Sequence, residues 1–345
     1  MREFHGAFDK AGKYRWQVMF TTPENNQDID ETNYNIKGSI AEALITLINK
    51  AKESIHICSF EMDLEEVADA LIAAKRRGLE VVFITDDEYG IEADEEDGLN
   101  LFTKMEEAGI EIHDDARSGL MHDKIWLFDK FVLWTGSCNI TVNGVFRNNN
   151  DVVVLYSEDA AAIYEKEFDE MRAGEFGTTS TSTVDEQVID IAGTEVRVFF
   201  GAEDDVIDNI SPIVQASEKS VRFMAYSFTH DTLGDAVIDR FEQGKDVMGI
   251  FELRGSETEY SELGRMYDLG MQVRQDGNSR TFHFKNFVLD EDTVMTGSFN
   301  YSESADESND ENVLLLGNET IAQLYMNEFE RRWEEGSDYE PDEDS

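Results

Sequence analysis

The constraint that most narrows what this chain can fold into is that it contains one unit twice. The segment Ala51-Lys52-Glu53-Ser54-Ile55-His56-Ile57 returns as Ser217-Glu218-Lys219-Ser220-Val221-Arg222-Phe223 with Ser54 on Ser220, and the offset holds through Asp69 on Asp235 and Gly78 on Gly244. After a five-residue deletion in the second copy, Gly109 falls on Gly270, Ser118 on Ser279 and His122 on His283. The register then persists through Tyr164 on Tyr325 and Glu167-Phe168 on Glu328-Phe329. A repeat of this length is a duplicated domain, not a solenoid unit. With 345 residues and 41% hydrophobic content, the chain can bury two modest cores.

Within each copy, β-rich runs alternate with helical periodicity. Residues 54–60 read as a strand, and 64–75 as an amphipathic helix with Leu64, Val67, Ala68, Leu71 and Ile72 on one face. Residues 80–84 form the next strand. This βαβ order implies parallel strands with helices on the sheet faces. Runs 110–112, 124–128 and 131–134 follow as short strands, the last two split by a turn at Asp129-Lys130, and 160–172 closes the copy as a helix. The domains read as 1–173 and 185–334, with a Gly/Ser/Thr-rich linker at 174–184 and an acidic, disordered tail at 335–345.

The chemistry lies in a pattern that both copies share. The first has His122, Lys124, Asp129 and then Gly136-Ser137-Cys138-Asn139; the second has His283, Lys285, Asp290 and then Gly297-Ser298-Phe299-Asn300, at identical spacing. On a strand, residues two apart share a face, so each His and Lys can address one phosphate. A phosphodiester needs a nucleophile toward phosphorus, an acid for the departing oxygen, and positive charge on the non-bridging oxygens. Imidazole, with a pKa of about 6.5, serves as nucleophile or acid according to its surroundings. Lys124 and Lys285 would hold phosphoryl oxygens, Asn139 and Asn300 would add hydrogen-bond donors, and Ser137 and Ser298 beside them are expected substrate contacts. No cofactor and no metal is required by this scheme.

These residues resemble the HKD motif of the phospholipase D superfamily, and the two copies cover essentially the whole chain. The resemblance implies an α/β fold of two tandem phospholipase D-like halves, each a mixed, mainly parallel sheet flanked by helices, related by a pseudo-twofold axis with both histidines at the interface. It implies reaction through a covalent phosphohistidine, with Asp129 and Asp290 supporting the local fold. Its members include phospholipases D, cardiolipin hydrolases, cardiolipin and phosphatidylserine synthases and small Nuc-like endonucleases. Glu311 stands where the family has a carboxylate bonded to a catalytic imidazole, and the same register in the first copy lands on Asn150. Either Asn150 or Asp151 is therefore expected to orient His122. Family analogy leans toward His122 as nucleophile.

The charge bears on substrate and setting. Against 29 Lys and Arg stand 75 Asp and Glu, a net charge of −46. Such self-repulsion is screened where the Debye length falls to about 3 Å, near 1 M salt, so the surface reads as adaptation to a salt-rich cytosol. It disfavours a broad basic groove for nucleic acid. No apolar run approaches the roughly 20 residues of a membrane span, and the N-terminus reads without a signal-like stretch, so a cytoplasmic protein is expected, with peripheral membrane contact left open. The expected partner is a phosphodiester, either a phospholipid head group or nucleic acid; hydrolysis, transfer to an alcohol and a non-catalytic scaffold are the competing outcomes. One chain carries both motifs, so a monomer would suffice.

Other residues take plainer readings. His5, His56, His113 and His230 lack repeated partners, which makes surface or packing roles the default. Cys138 aligns with Phe299 and reads as packing. Phe282, Phe284 and Phe287 read as core more readily than as an apolar substrate wall, and the acidic run 92–97 as a solvated loop.

Overall fold

The computed structural model describes residues 3–8, 14–23, 28–30, 32–180 and 188–341. Its contacts divide the chain into two units, Met1–Asp185 with Asn309–Glu311, and Glu186–Ser308 with Asn312–Ser345.

The first unit holds β1 (Glu3–Phe8), β2 (Tyr14–Phe20), β3 (Ser54–Ser59), β4 (Glu80–Thr85), β5 (Glu111–Asp114), β6 (Lys124–Phe128), β7 (Val132–Gly136) and β8 (Asp151–Tyr156). They form one sheet in the order β1-β2-β8-β7-β6-β3-β4-β5. The helix Glu65–Arg76 carries the chain from β3 to a parallel β4, as the βαβ pattern requires, and β5 is parallel to β4. Every other pairing is antiparallel: β6 on β3, β7 on β6, β8 on β7, β2 on β8 and β1 on β2. The sheet is thus mixed, as expected, but not mainly parallel. The reason is loop length: β6 and β7 are joined by a hairpin too short for a crossover, and short links join only antiparallel neighbours. Helices Ile40–Lys50 and Glu65–Arg76 turn Ile40, Leu44, Ile48, Val67 and Leu71 into the core. The helix Glu158–Arg172 packs on β3, β6 and β7.

The second unit repeats this plan with β9 (Ile189–Ile191), β10 (Thr194–Gly201), β11 (Ser220–Ala225), β12 (Asp246–Phe251), β13 (Gln272–Gln275), β14 (Lys285–Leu289), β15 (Thr293–Gly297), β16 (Glu311–Gly317) and β17 (Ser337–Asp338). Their order is β17-β13-β12-β11-β14-β15-β16-β10-β9. Again β11, β12 and β13 run parallel, while β14 and β15 return antiparallel. Phe223, Phe228, Phe251, Phe287 and Tyr301 interlock at centroid distances of 5.0–6.1 Å to fill the core. Phe282, Phe284 and Phe287 are fully buried, in keeping with the core reading.

Two sequence expectations change here. Residues 337–338 of the supposed tail pair with β13, and Tyr339 packs edge-on against Tyr267 at 5.2 Å. A two-residue strand finds enough hydrogen bonds on a free sheet edge to be held there. Residues 342–345, and 181–184 of the expected linker, lie outside the described residues; 177–179 form a 3-10 turn. Residues 92–96 of the acidic run are helical, and Asp94 is buried there because its carboxylate accepts the Leu101 and Phe102 amides at 2.9 and 3.1 Å. It caps the helix Leu101–Glu107, whose N-cap residue Asn100 makes no side-chain cap bond.

Candidate active site

Both motifs are built the same way within their own halves. The Asp129 carboxylate accepts the backbone amides of Lys52, Glu53 and Ser54 at 2.7–3.2 Å, tying the β6–β7 hairpin to the start of β3. Asp290 does the same for Glu218, Lys219 and Ser220 at 2.7–3.0 Å. Burial works against the Asp290 charge, yet these amides hold its pKa below the ordinary value. Asp129 and Lys130 adopt φ of +53° and +52°, and Asp290 and Glu291 +54° and +63°, the pair of left-handed residues of a tight hairpin turn. In each half the aspartate thus clamps backbone that begins the neighbouring strand.

That clamp fixes strand register. Lys124 lies opposite Ser59, and Lys285 opposite Ala225, so the residue after each of those partners reaches the motif histidine. In the first half this is Phe60, edge-on to His122 at 4.8 Å; in the second it is Tyr226, edge-on to His283 at 5.0 Å. The same rings lie under the ammonium groups, Lys124 Nζ 5.0 Å from Phe60 and Lys285 Nζ 4.8 Å from Tyr226. Each ammonium also donates to the carbonyl of its own histidine, at 2.5 and 3.1 Å. The aromatic partners escaped the sequence reading, although Phe60 and Tyr226 align in the repeat.

Lys124 is almost wholly buried, and burial pulls its pKa down to about 8 against the charges of Glu311, Glu61 and Asp123. Asn139 Nδ2 donates to Glu61 Oε1 at 2.5 Å, while its Oδ1 is buried without a hydrogen-bond partner. Asn300 Oδ1 is likewise buried and unpartnered. Each of these amide oxygens can still accept a hydrogen bond.

The histidine contacts correct one expectation. His122 Nδ1 meets Glu311 Oε2 at 2.7 Å, so neither Asn150 nor Asp151 takes that place. The cause is backbone pairing: Asp310 N donates to Leu120 O, and His122 N to Asp310 O, both at 2.9 Å, which lays Asn309–Glu311 along the motif. Asn309 Oδ1 accepts the Leu120 amide, and Asp310 is held by Arg117 and by the Gly177 amide. Burial raises Asp310 to about 7 despite Arg117. Asn150 instead accepts from Ser137 Oγ at 2.9 Å and donates to Gly144 O.

Ser137 and Ser298 do not fit the substrate contacts read for them. Both are fully buried; Ser137 Oγ bonds Asn150 and Asp151, and Ser298 Oγ accepts the Asn312 amide at 2.9 Å. The preceding glycines explain this inward turn. Gly136 and Gly297 sit at φ +136° and +145°, where an added Cβ would lie 2.5 Å from Asp151 O or 2.1 Å from Asn312 O. Only glycine lets the two strands close so that the serine hydroxyl bridges them.

Of the remaining sequence candidates, His56 is buried, stacked on Phe168 at 4.4 Å and bonded to Glu165 at 2.8 Å, a packing role. His113 pairs with Glu111. The Cys138 thiol is buried and pushed well up by burial, which suits packing and not a nucleophile.

Comparison with known proteins fits this geometry. The family described as "Cardiolipin synthase, PLD-like domain" matches residues 44–172 and 210–333. The mitochondrial cardiolipin hydrolase of Canis lupus familiaris is 32% identical over 120 residues, 35% of this chain and 47% of that protein. A phospholipase D of Rickettsia prowazekii (strain Madrid E) is 28% identical over 120 residues, 34% of this chain and 58% of that protein. The chain thus spans about half the length of these curated relatives. In fold, phosphatidylserine synthase of Haemophilus influenzae Rd KW20 superposes with a TM-score of 0.64 at 16% identity, covering 86% of this chain and 85% of that one. No helix among the described residues is long and apolar enough to cross a membrane. Two matched repeats, each with its His, Lys and clamping Asp in place, make this chain a member of the phospholipase D superfamily.

Proposed function

We propose that the chain is a metal-independent phosphodiesterase working through a phosphohistidine. The observation that carries this is the 2.7 Å bond between His122 Nδ1 and the buried Glu311 carboxylate. A carboxylate there takes the Nδ1–H and fixes the tautomer, so that Nε2 carries the lone pair that attacks phosphorus. His122 is then the nucleophile. Its N–P bond forms as the P–O bond to the leaving alcohol breaks, and protonated His283 gives its proton to that oxygen. Water next attacks phosphorus, His283 takes its proton, and the N–P bond breaks to restore His122. Lys124, Lys285, Asn139 and Asn300 stabilise the phosphoryl oxygens.

The substrate we favour is a phospholipid head-group ester. The relatives' names point there, and a net charge of −46 repels a nucleic acid more than it repels a single phosphodiester. One observation favours nucleic acid as the second reading: Tyr89 is 46% exposed and lies 5.0 Å from Phe60, a surface on which a base could stack. A salt-rich cytosol is the setting we propose. Purified protein in high salt with EDTA, assayed on phospholipids, DNA, RNA and a chromogenic phosphodiester, tests both readings. Turnover that His122→Asn and His283→Asn each abolish is expected; dependence on a divalent metal would sink the mechanism.

A further inference from the structure

Glu61 has no counterpart in the second half, where Ser227 aligns with it. It lies just past the end of β3, after Phe60, and its carboxylate accepts from Asn139 Nδ2 at 2.5 Å, while the charge of Lys124 acts on it. Those are the two donors that a phosphodiester would need in this half. Two anions cannot share one cradle without strong repulsion. We infer that Glu61 is a specificity-determining residue, a built-in competitor that holds the Asn139 amide and the Lys124 charge until it is protonated or swings aside for an anionic phosphodiester. This role presupposes the phosphodiester chemistry proposed above.

Several observations agree. Asn139 Oδ1 is buried and unpartnered, so the amide is only half satisfied by Glu61, and an arriving ligand that carries a hydroxyl can complete it. Burial raises the Glu61 carboxyl, with Lys124 and Asn139 pulling it back. The other charged and titratable groups around Lys124 are Glu311, Asp123 and Cys138, with His122 beside it. They are present equally in wild type and in Glu61 variants, so a comparison of the two isolates Glu61.

The test is binding of dimethyl phosphate, whose single charge is constant from pH 5 to 8, followed by ³¹P NMR in high salt for wild type, Glu61→Gln and Glu61→Ser. The serine variant installs the side chain that the second half carries, which guards against a variant that fails to fold. Both variants should bind about tenfold tighter than wild type at pH 7, the scale of removing one like charge from an anion site. Their advantage should shrink as pH falls and Glu61 gains its proton. Equal or weaker binding by both folded variants at pH 7 overturns the inference. Turnover of the chromogenic phosphodiester in the same samples reports separately on the proposed function, since binding needs no chemistry.

Discussion

The two motifs agree in everything that positions a side chain and differ in what sets its protonation. In each half an aspartate clamps three backbone amides, a lysine reaches its own histidine's carbonyl, and an aromatic ring lies under both. Yet Glu311 stands at His122, Glu61 accompanies Lys124, and the ring is Phe60 in one half and Tyr226 in the other. A duplicated scaffold supplies two copies of the same geometry, and chemistry that needs one nucleophile and one acid requires their environments to part. The largest test of that division is Glu311→Gln. The isosteric amide keeps the packing but not the charge or the tautomer, so kcat should fall at least about 100-fold with KM little changed. A fall below threefold would mean that the carboxylate does not distinguish the halves.

Where the halves agree, their variants should agree too. Asp129→Ala and Asp290→Ala each remove the acceptor for three amides at the hairpin base, and each should cost about 2 kcal/mol in chemical denaturation at fixed high salt. Costs that differ by more than ~1 kcal/mol would show that the clamps are not equivalent.

The alkaline limb is next in size. Lys124 has its pKa pulled down to about 8 by burial, so its ammonium is present below that pH and lost above it. Phosphate binding in the first half should weaken accordingly, and kcat/KM should fall about tenfold per unit as pH rises past 8. A profile flat to pH 9.5 would show that Lys124 keeps its proton despite its burial.

Much of this was legible in the sequence because repeat spacing transmits geometry. Side chains two apart on a strand share a face, which pairs His122 with Lys124 and His283 with Lys285 from spacing alone, although β6 and β14 begin at the lysines and the histidines lie just ahead of them. The helix 65–76 and the strands at 54–59 and 124–128 came from periodicity within two residues. What spacing cannot transmit is partnership across distant segments. Glu311 aligns with Asn150 within the repeat, yet its neighbour is set by the Asp310–Leu120 backbone bonds, 190 positions apart, which no local pattern encodes. Glu61 was missed for the opposite reason: with no counterpart in the second copy, a search for shared residues passes over it. The sheet was read as mainly parallel because the βαβ signal is strong while hairpins announce themselves only through turn residues such as Asp129-Lys130.

The smallest effect sharpens what the aromatic partner contributes. Tyr226 and Phe60 hold the same place relative to lysine and histidine, and differ by one hydroxyl. Burial, helped by Glu252, raises the Tyr226 phenol above its ordinary value, so it stays neutral at working pH and adds no charge to the site. The ring face alone should then do the work: a cation over an aromatic is worth about 0.5–1 kcal/mol or more, and the edge contact restrains the imidazole. Tyr226→Phe should therefore change kcat less than twofold, whereas Tyr226→Leu, which removes the π face but keeps apolar bulk, should cost about three- to fivefold. If Tyr226→Phe costs as much as Tyr226→Leu, the hydroxyl takes part in the second half's chemistry, and the two rings belong with the differences between the halves and not with their shared frame.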